Sequence, residues 1–268
     1  MESRFELARA MARDAGDLAL RCFRDLANLT VETKGPQDVV SRADREVEDF
    51  IRAGISEAFP GDAILGEEGG GAGDFDGEAP IWVIDPIDGT QCFLNGLSTW
   101  CVSIALVHRG EIVFGAVHDP CNDELFSGGP GLGAFCNSRP IHVAAVTDVT
   151  VGMVEVGFSR RVSPDLVLGV MSRLLDAGGM YHRCGAGALA MAHLAAGRYI
   201  AYFEEHMNSW DSFAAAAIIQ GAGGWTNDLM ANDGLTKGAM VVAGGYPIIE
   251  ALRRIIGVDF GRLVGPGA

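Results

Sequence analysis

Five acids carry the chemistry open to this sequence: Glu67 and Glu68 after Gly66, Asp85 and Asp88 within Trp82-Val83-Ile84-Asp85-Pro86-Ile87-Asp88-Gly89-Thr90, and Asp211 after Trp210. Singly, each has an ordinary reading: a solvated loop pair, a cap at a strand end, or a first-turn acid favoured by the helix dipole. The surroundings of Asp85 ask for more. Pro86 fixes its own φ, removes an N–H and keeps Asp85 extended. Asp88 follows within one turn and aims a second carboxylate at the same point, with the Ile87 carbonyl free between them as a hard oxygen ligand. A helix or turn starting at Asp88-Gly89-Thr90 would point unsatisfied N–H groups at an anion, and Gly89 lets a phosphate approach the backbone. Carboxylates gathered in this way repel one another unless cations sit between them. Oxygen-only donors beside a phosphate suit magnesium. Two such ions about 3.5–4 Å apart can clamp the attacking and leaving oxygens of an in-line displacement. A phospho-aspartate mechanism of the haloacid-dehalogenase type is excluded by spacing, because that motif has one residue between its acids and here there are two.

Rigid elements must hold these acids. Apolar residues at helical spacing (Leu7, Met11, Ala15, Leu18, Cys22, Leu26) predict a helix over 3–28. A second is predicted over 43–59, burying Val47, Phe50, Ile51 and Ile55 and ended by Pro60-Gly61-Asp62. Residues 66–80 read as a Gly- and acid-rich loop, with a buried strand over 81–84 stopping at Asp85. A hairpin follows (101–107 and 111–118, turning at His108-Arg109-Gly110), then short strands over 127–141. The rest alternates: strand 152–158, helix 165–177, helix 188–196, strand 199–203, an Ala-rich helix from Trp210, strand 239–244 and a last helix from Pro247. The pattern is layered α/β. It suggests two halves, 1–143 with most of the metal-ligand candidates and 144–268 with Asp211 and the residues that set substrate specificity.

The chain has 268 residues, 49% of them hydrophobic, and a formal net charge of −15. That balance argues against a nucleic-acid binder, which needs clustered cations. Six cysteines without a CxxC pair read as reduced, mostly buried thiols. The charged start is unlike a signal peptide, and no apolar run is long enough to span a membrane, so a cytoplasmic protein without membrane contact is expected. The six histidines show no metal-ligand spacing and read as surface or packing residues, with His206 the one to watch because it precedes Asp211 by five positions. Gly128 to Gly133 lacks the Lys-Ser/Thr of a nucleotide loop. Trp100 and Trp210 read as packing residues.

Taken together, Gly66-Glu67-Glu68, Asp85-Pro86-Ile87-Asp88-Gly89-Thr90, and Trp210-Asp211 with Gly221-Ala222-Gly223-Gly224 downstream resemble the inositol monophosphatase family. Residues 118–143 and 194–204 extend the likeness over most of the chain. The resemblance implies an αβαβα sandwich, commonly dimeric, acting as a phosphomonoesterase with two or three Mg2+ per site and often inhibited by lithium. It implies that Glu67, Asp85 and the Ile87 carbonyl hold one ion, and that Asp85, Asp88 and Asp211 share another. Gly89 and Thr90 would bind phosphate beside Asp88, Thr90 positioning the attacking water with support from Asp44. Glu67 would also reach a third ion or its water, and Glu204 a sugar hydroxyl. Lys34 matches a basic residue near the family's site, and Glu68 adjoins the metal shell. Myo-inositol monophosphate is the expected substrate, with histidinol phosphate, fructose 1,6-bisphosphate and 3′-phosphoadenosine phosphate as alternatives. Three stretches depart from the family, one being the lead-in to Asp211, residues 205–211. Gln91-Cys92-Phe93 replaces Thr-Asn-Phe. The Arg-x-x-Gly-Ser-Ala-Ala stretch is shortened to Arg183-Cys184-Gly185-Ala186-Gly187-Ala188, losing the serine where Gly185 and Ala186 would meet substrate. The shortened 183–188 stretch also supports an alternative, a metal-responsive binding protein of the same fold.

Overall fold

Two sheets and the helices that cover them build five layers, α-β-α-β-α. The computed structural model describes residues 1–29, 31–35, 38–73, 75 and 78–266. The larger sheet has eight strands in the spatial order Arg139–Pro140, Gly133–Cys136, Glu124–Gly129, Glu111–Asp119, Cys101–His108, Ile81–Asp88, Ala63–Gly66, Gly70–Ala72. Only Ala63–Gly66 against Ile81–Asp88 is a parallel pair. The smaller sheet has six, in the order Met180–His182, Met153–Val156, Ala201–Met207, Ala239–Gly244, Trp225–Asn227, Leu263–Val264.

Three apolar clusters separate the layers. Helices Glu2–Phe23 and Arg42–Ala58 cover one face of the large sheet. Helices Gly187–Ala195 and Ser209–Gly221 lie between the sheets, in a cluster drawn from both halves of the chain. Helices Asp165–Asp176 and Tyr246–Ile256 close the far face of the small sheet. The alanine content of Ser209–Gly221 follows from this position. A helix buried on both sides cannot be amphipathic, and small side chains let both sheets approach it.

Several sequence expectations change in detail. The second helix buries Val47, Ile51 and Ile55, but Phe50 is 39% exposed. The buried face instead admits Asp44 and Glu48, two acids at i,i+4, and turns Phe50 outward. The strand expected over 81–84 runs on to Asp88, with a register shift between Asp85 and Asp88 where Pro86 has no N–H to give the ladder. The expected loop over 66–80 carries an edge strand, Gly70–Ala72, paired back onto Ala63–Gly66. The strand expected over 199–203 is Ala201–Met207 and includes Glu204. The first helix ends at Phe23, and a 3-10 turn covers Leu26–Asn28.

Candidate active site

The strand Ile81–Asp88 delivers its last residues to a cavity of about 180 Å³ lined by Glu67, Asp85, Ile87, Asp88, Gly89, Thr90, Gly185, Ala186, Glu204 and Asp211 among others. Asp85 is 1% exposed and its Oδ1 accepts the Ile87 N–H at 3.0 Å. Gly89 then turns the chain at φ +93°, and the helix Thr90–Leu94 begins. A Cβ at Gly89 would stand 2.8 Å from the Ala186 Cβ, so both conformation and space require glycine. The Thr90 hydroxyl lies 3.2 Å from the Ile87 carbonyl and 3.4 Å from Asp44 Oδ1. Asp44 does not line the cavity. Its other oxygen closes a capping box, accepting the Ser41 N–H and hydroxyl at 2.8 and 2.6 Å.

Asp88 reaches across the molecule. Its carboxylate accepts the Gly187, Ala188 and Leu189 N–H groups at 3.1, 2.7 and 3.3 Å, so it occupies the N-terminus of the helix Gly187–Ala195. Asp211 sits in the first turn of Ser209–Gly221, where Oδ2 accepts the Asn208 N–H at 3.1 Å. Asp211 is thus a first-turn acid of its helix and also lines the cavity. Glu67 rides on the turn between Ala63–Gly66 and Gly70–Ala72. That turn wraps the buried Glu48 carboxylate, which accepts the Glu68 and Gly69 N–H groups at 2.8 and 2.7 Å. Arg52 holds Glu48 at 2.7 Å and donates to the Gly70 carbonyl. Sequence reasoning passed over Glu48. The signal was there in an acid four residues after Asp44 on an otherwise apolar helix face.

Glu67, Asp85 and Asp211, from three separate elements, bring carboxylate oxygens within 4.8 Å of one another. Burial, then the charges of Glu67, Asp88 and Asp211, pushes the Asp85 carboxyl well above the usual carboxylate range. Burial and Asp211 push Asp88 up to about 7 against its three N–H donors, and burial also raises Asp211 and Asp44. A cation among these carboxylates would offset their mutual repulsion and favour the ionised forms. The donors are all oxygen, the Ile87 carbonyl included, and so fit a hard ion such as Mg2+.

The cavity is also lined by Glu155, Phe158, Arg183, Tyr202, Glu204 and Met207. Burial raises Glu204 to about 7 although the Tyr202 hydroxyl donates to it at 2.7 Å. Gly185 (φ +89°) and Ala186 are also among the lining residues and offer no hydroxyl. The departures at 91–93 and 183–188 meet here, with Cys92 Sγ 3.8 Å from the Cys184 carbonyl oxygen. Sequence reasoning also passed over Glu155, which holds the loop by accepting the Cys184 N–H at 2.5 Å and the His182 ring at 2.8 Å. His206 is not part of the cavity: its Nε2 lies 3.0 Å from the Lys237 carbonyl oxygen. Glu68 is not among the lining residues, and the Lys34 side chain lies outside the described residues. Trp100 is fully buried and Trp210 packs against the central cluster.

The model of the inositol monophosphatase family matches residues 1–255. An inositol-1-monophosphatase of Mesorhizobium japonicum is 36% identical, covering 91% of this chain and 92% of that protein. A protein named Nus factor SuhB from Pseudomonas aeruginosa is 34% identical over 94% of this chain and 95% of its own length. Among solved structures, extragenic suppressor protein suhB from Bartonella henselae superposes with a TM-score of 0.88 at 32% identity, covering 95% of this chain and 98% of that one. The fold, the acid cluster and these likenesses agree: the chain belongs to the inositol monophosphatase family.

Proposed function

We propose that this protein is a magnesium-dependent phosphatase that hydrolyses a small, hydroxylated phosphomonoester by attack of water on phosphorus. Myo-inositol monophosphate is the reference substrate, and histidinol phosphate, fructose 1,6-bisphosphate and 3′-phosphoadenosine phosphate are the alternatives. The observation that carries this reading is the convergence of Glu67, Asp85 and Asp211 beside Asp88 and the Gly89-Thr90 turn. Glu67, Asp85 and the Ile87 carbonyl would hold one ion, and Asp85, Asp88 and Asp211 a second. Bound there, magnesium lowers the pKa of water and offsets charge on the phosphate oxygens. The N–H groups that open the helix at Gly89 and Thr90 bind a phosphate oxygen. The Thr90 hydroxyl donates its hydrogen bond to Asp44, so its oxygen can accept one from the attacking water and orient it. Glu204 accepts a leaving-group hydroxyl. The binding-protein alternative has only the altered 183–188 stretch in its favour, against a complete set of metal-ligand candidates.

Phosphate release from a panel of the four named esters, with magnesium and with chelator, tests the reading. Release from at least one ester that chelation abolishes is expected; no magnesium-stimulated release from any of them would sink it. We also propose a homodimer. Helix Asp165–Asp176 and the adjoining edge strand Met180–His182 expose Leu168 (59%), Leu175 (49%), Met180 (61%) and Tyr181 (42%), a face suited to a second copy. Light scattering should give twice the chain mass, and Met180→Asp should halve it.

A further inference from the structure

The polar groups that line the cavity beyond the acid cluster differ in what they already hold. Glu155 accepts the Cys184 N–H and the His182 ring. Glu204 accepts the Tyr202 hydroxyl. Arg183 also lines the cavity, its side chain is exposed, and among the described residues it has no ion pair. Its charge favours the ionised forms of both Glu204 and Glu155 without forming a bridge to either. Arg161, on the turn that follows Phe158, likewise has no ion pair among the described residues and acts on Asp211 in the same way. Gly185 and Ala186 add no hydroxyl that could bind a neutral polyol.

Glu204 keeps acceptor sites for a leaving-group hydroxyl, but a second anionic group on the substrate needs a donor with charge to spare. Among the residues that line the cavity, that donor is the Arg183 guanidinium, a planar fork matched to carboxylate or phosphate. The rest of the molecule makes its presence informative, because a chain of net charge −15 repels anionic esters at long range. We propose that the cavity selects phosphate esters whose leaving group carries a second anionic group, phosphate or carboxylate, bound by Arg183 with Arg161 adding positive potential at the mouth. This rests on the phosphatase reading and narrows its substrate class.

Matched pairs test it: fructose 1-phosphate against fructose 1,6-bisphosphate, and glycerol 2-phosphate against 2-phosphoglycerate, at saturating magnesium. The ratio of kcat/KM for the doubly charged member over its partner should be at least tenfold in the parent for one pair. That pair names the anion. The preference should reside in KM and shrink with added salt. Arg183→Ala should lower the ratio at least tenfold and Arg183→Lys should retain part of it, with both variants checked for folding by circular dichroism. A parental ratio below tenfold for both pairs, or a ratio unchanged in folded Arg183→Ala, overturns charge selection. No magnesium-dependent release from any ester, p-nitrophenyl phosphate included, overturns the phosphatase reading instead.

Discussion

Thr90 has one hydroxyl proton and two acceptors for it, the Ile87 carbonyl and Asp44. A cation on the Ile87 carbonyl would leave Asp44 as the acceptor and free the Thr90 oxygen for water. Thr90→Val keeps the shape and removes the hydroxyl, so kcat should fall about a hundredfold, the low end of a positioned proton-transfer group, with little change in KM. Thr90→Ser should retain most activity. An unchanged kcat in the valine variant would remove Thr90 from the reaction. These residues were legible because Pro86, Gly89 and the two-residue spacing are local and each has a backbone consequence. Asp88 shows the limit of local reading. Its donors are 99 to 101 residues away, and nothing near Asp88 in the chain announces the helix it caps.

At the scale of elements, the site depends on how a turn is held. The Glu48 carboxylate, 2% exposed, accepts two N–H groups of the turn that carries Glu67. A Cβ at Gly66 or Gly69 would lie 2.5 or 2.7 Å from Glu48 Oε1, so the turn wraps the carboxylate closely. Glu48→Gln replaces one accepting oxygen with an NH2 that faces N–H donors and removes the charge that Arg52 pairs with. Magnesium affinity, read by isothermal titration, should weaken roughly 10–100-fold, as for other groups that orient metal ligands, while kcat at saturating magnesium changes much less. Equal loss in both would mean that Glu48 serves the fold alone. The amphipathic helices and the hairpin at Arg109-Gly110 were legible from periodicity and turn chemistry, both residues there having positive φ. The short strands Gly70–Ala72, Met180–His182, Trp225–Asn227 and Leu263–Val264 were not, because two or three residues carry no period and their pairing is set by distant partners.

For the whole molecule, the five layers bury ionisable groups whose effects on stability have opposite signs. His193, half-buried between the layers, is pushed down to about 4, chiefly by burial and then by Arg198. Between pH 4 and its unfolded value near 6.5 the unfolded chain binds the proton more tightly, so stability falls as pH drops through that window, by roughly 3 kcal/mol. His193→Gln should remove this component from the urea midpoint measured between pH 7 and 4. An identical pH profile in the variant would deny it. Asp85 acts in the reverse sense. Its folded pKa is raised, so above the ordinary carboxylate range it costs stability. Magnesium should therefore raise Tm, and Asp85→Asn should raise the metal-free Tm while losing that response. The layered class was legible from the alternation of helices and strands, but the polar contents of the layers were not, since burial is a property of the assembled core. The most direct test of the central claim is phosphate release from myo-inositol 1-phosphate and p-nitrophenyl phosphate as a function of free magnesium, for the parent and for Asp85→Asn. The parent should show saturable magnesium dependence with no release in chelator, and the variant about a thousandfold lower kcat/KM, the several kcal/mol a metal contributes. Release that persists in chelator, or a variant working at the parental rate, would contradict it.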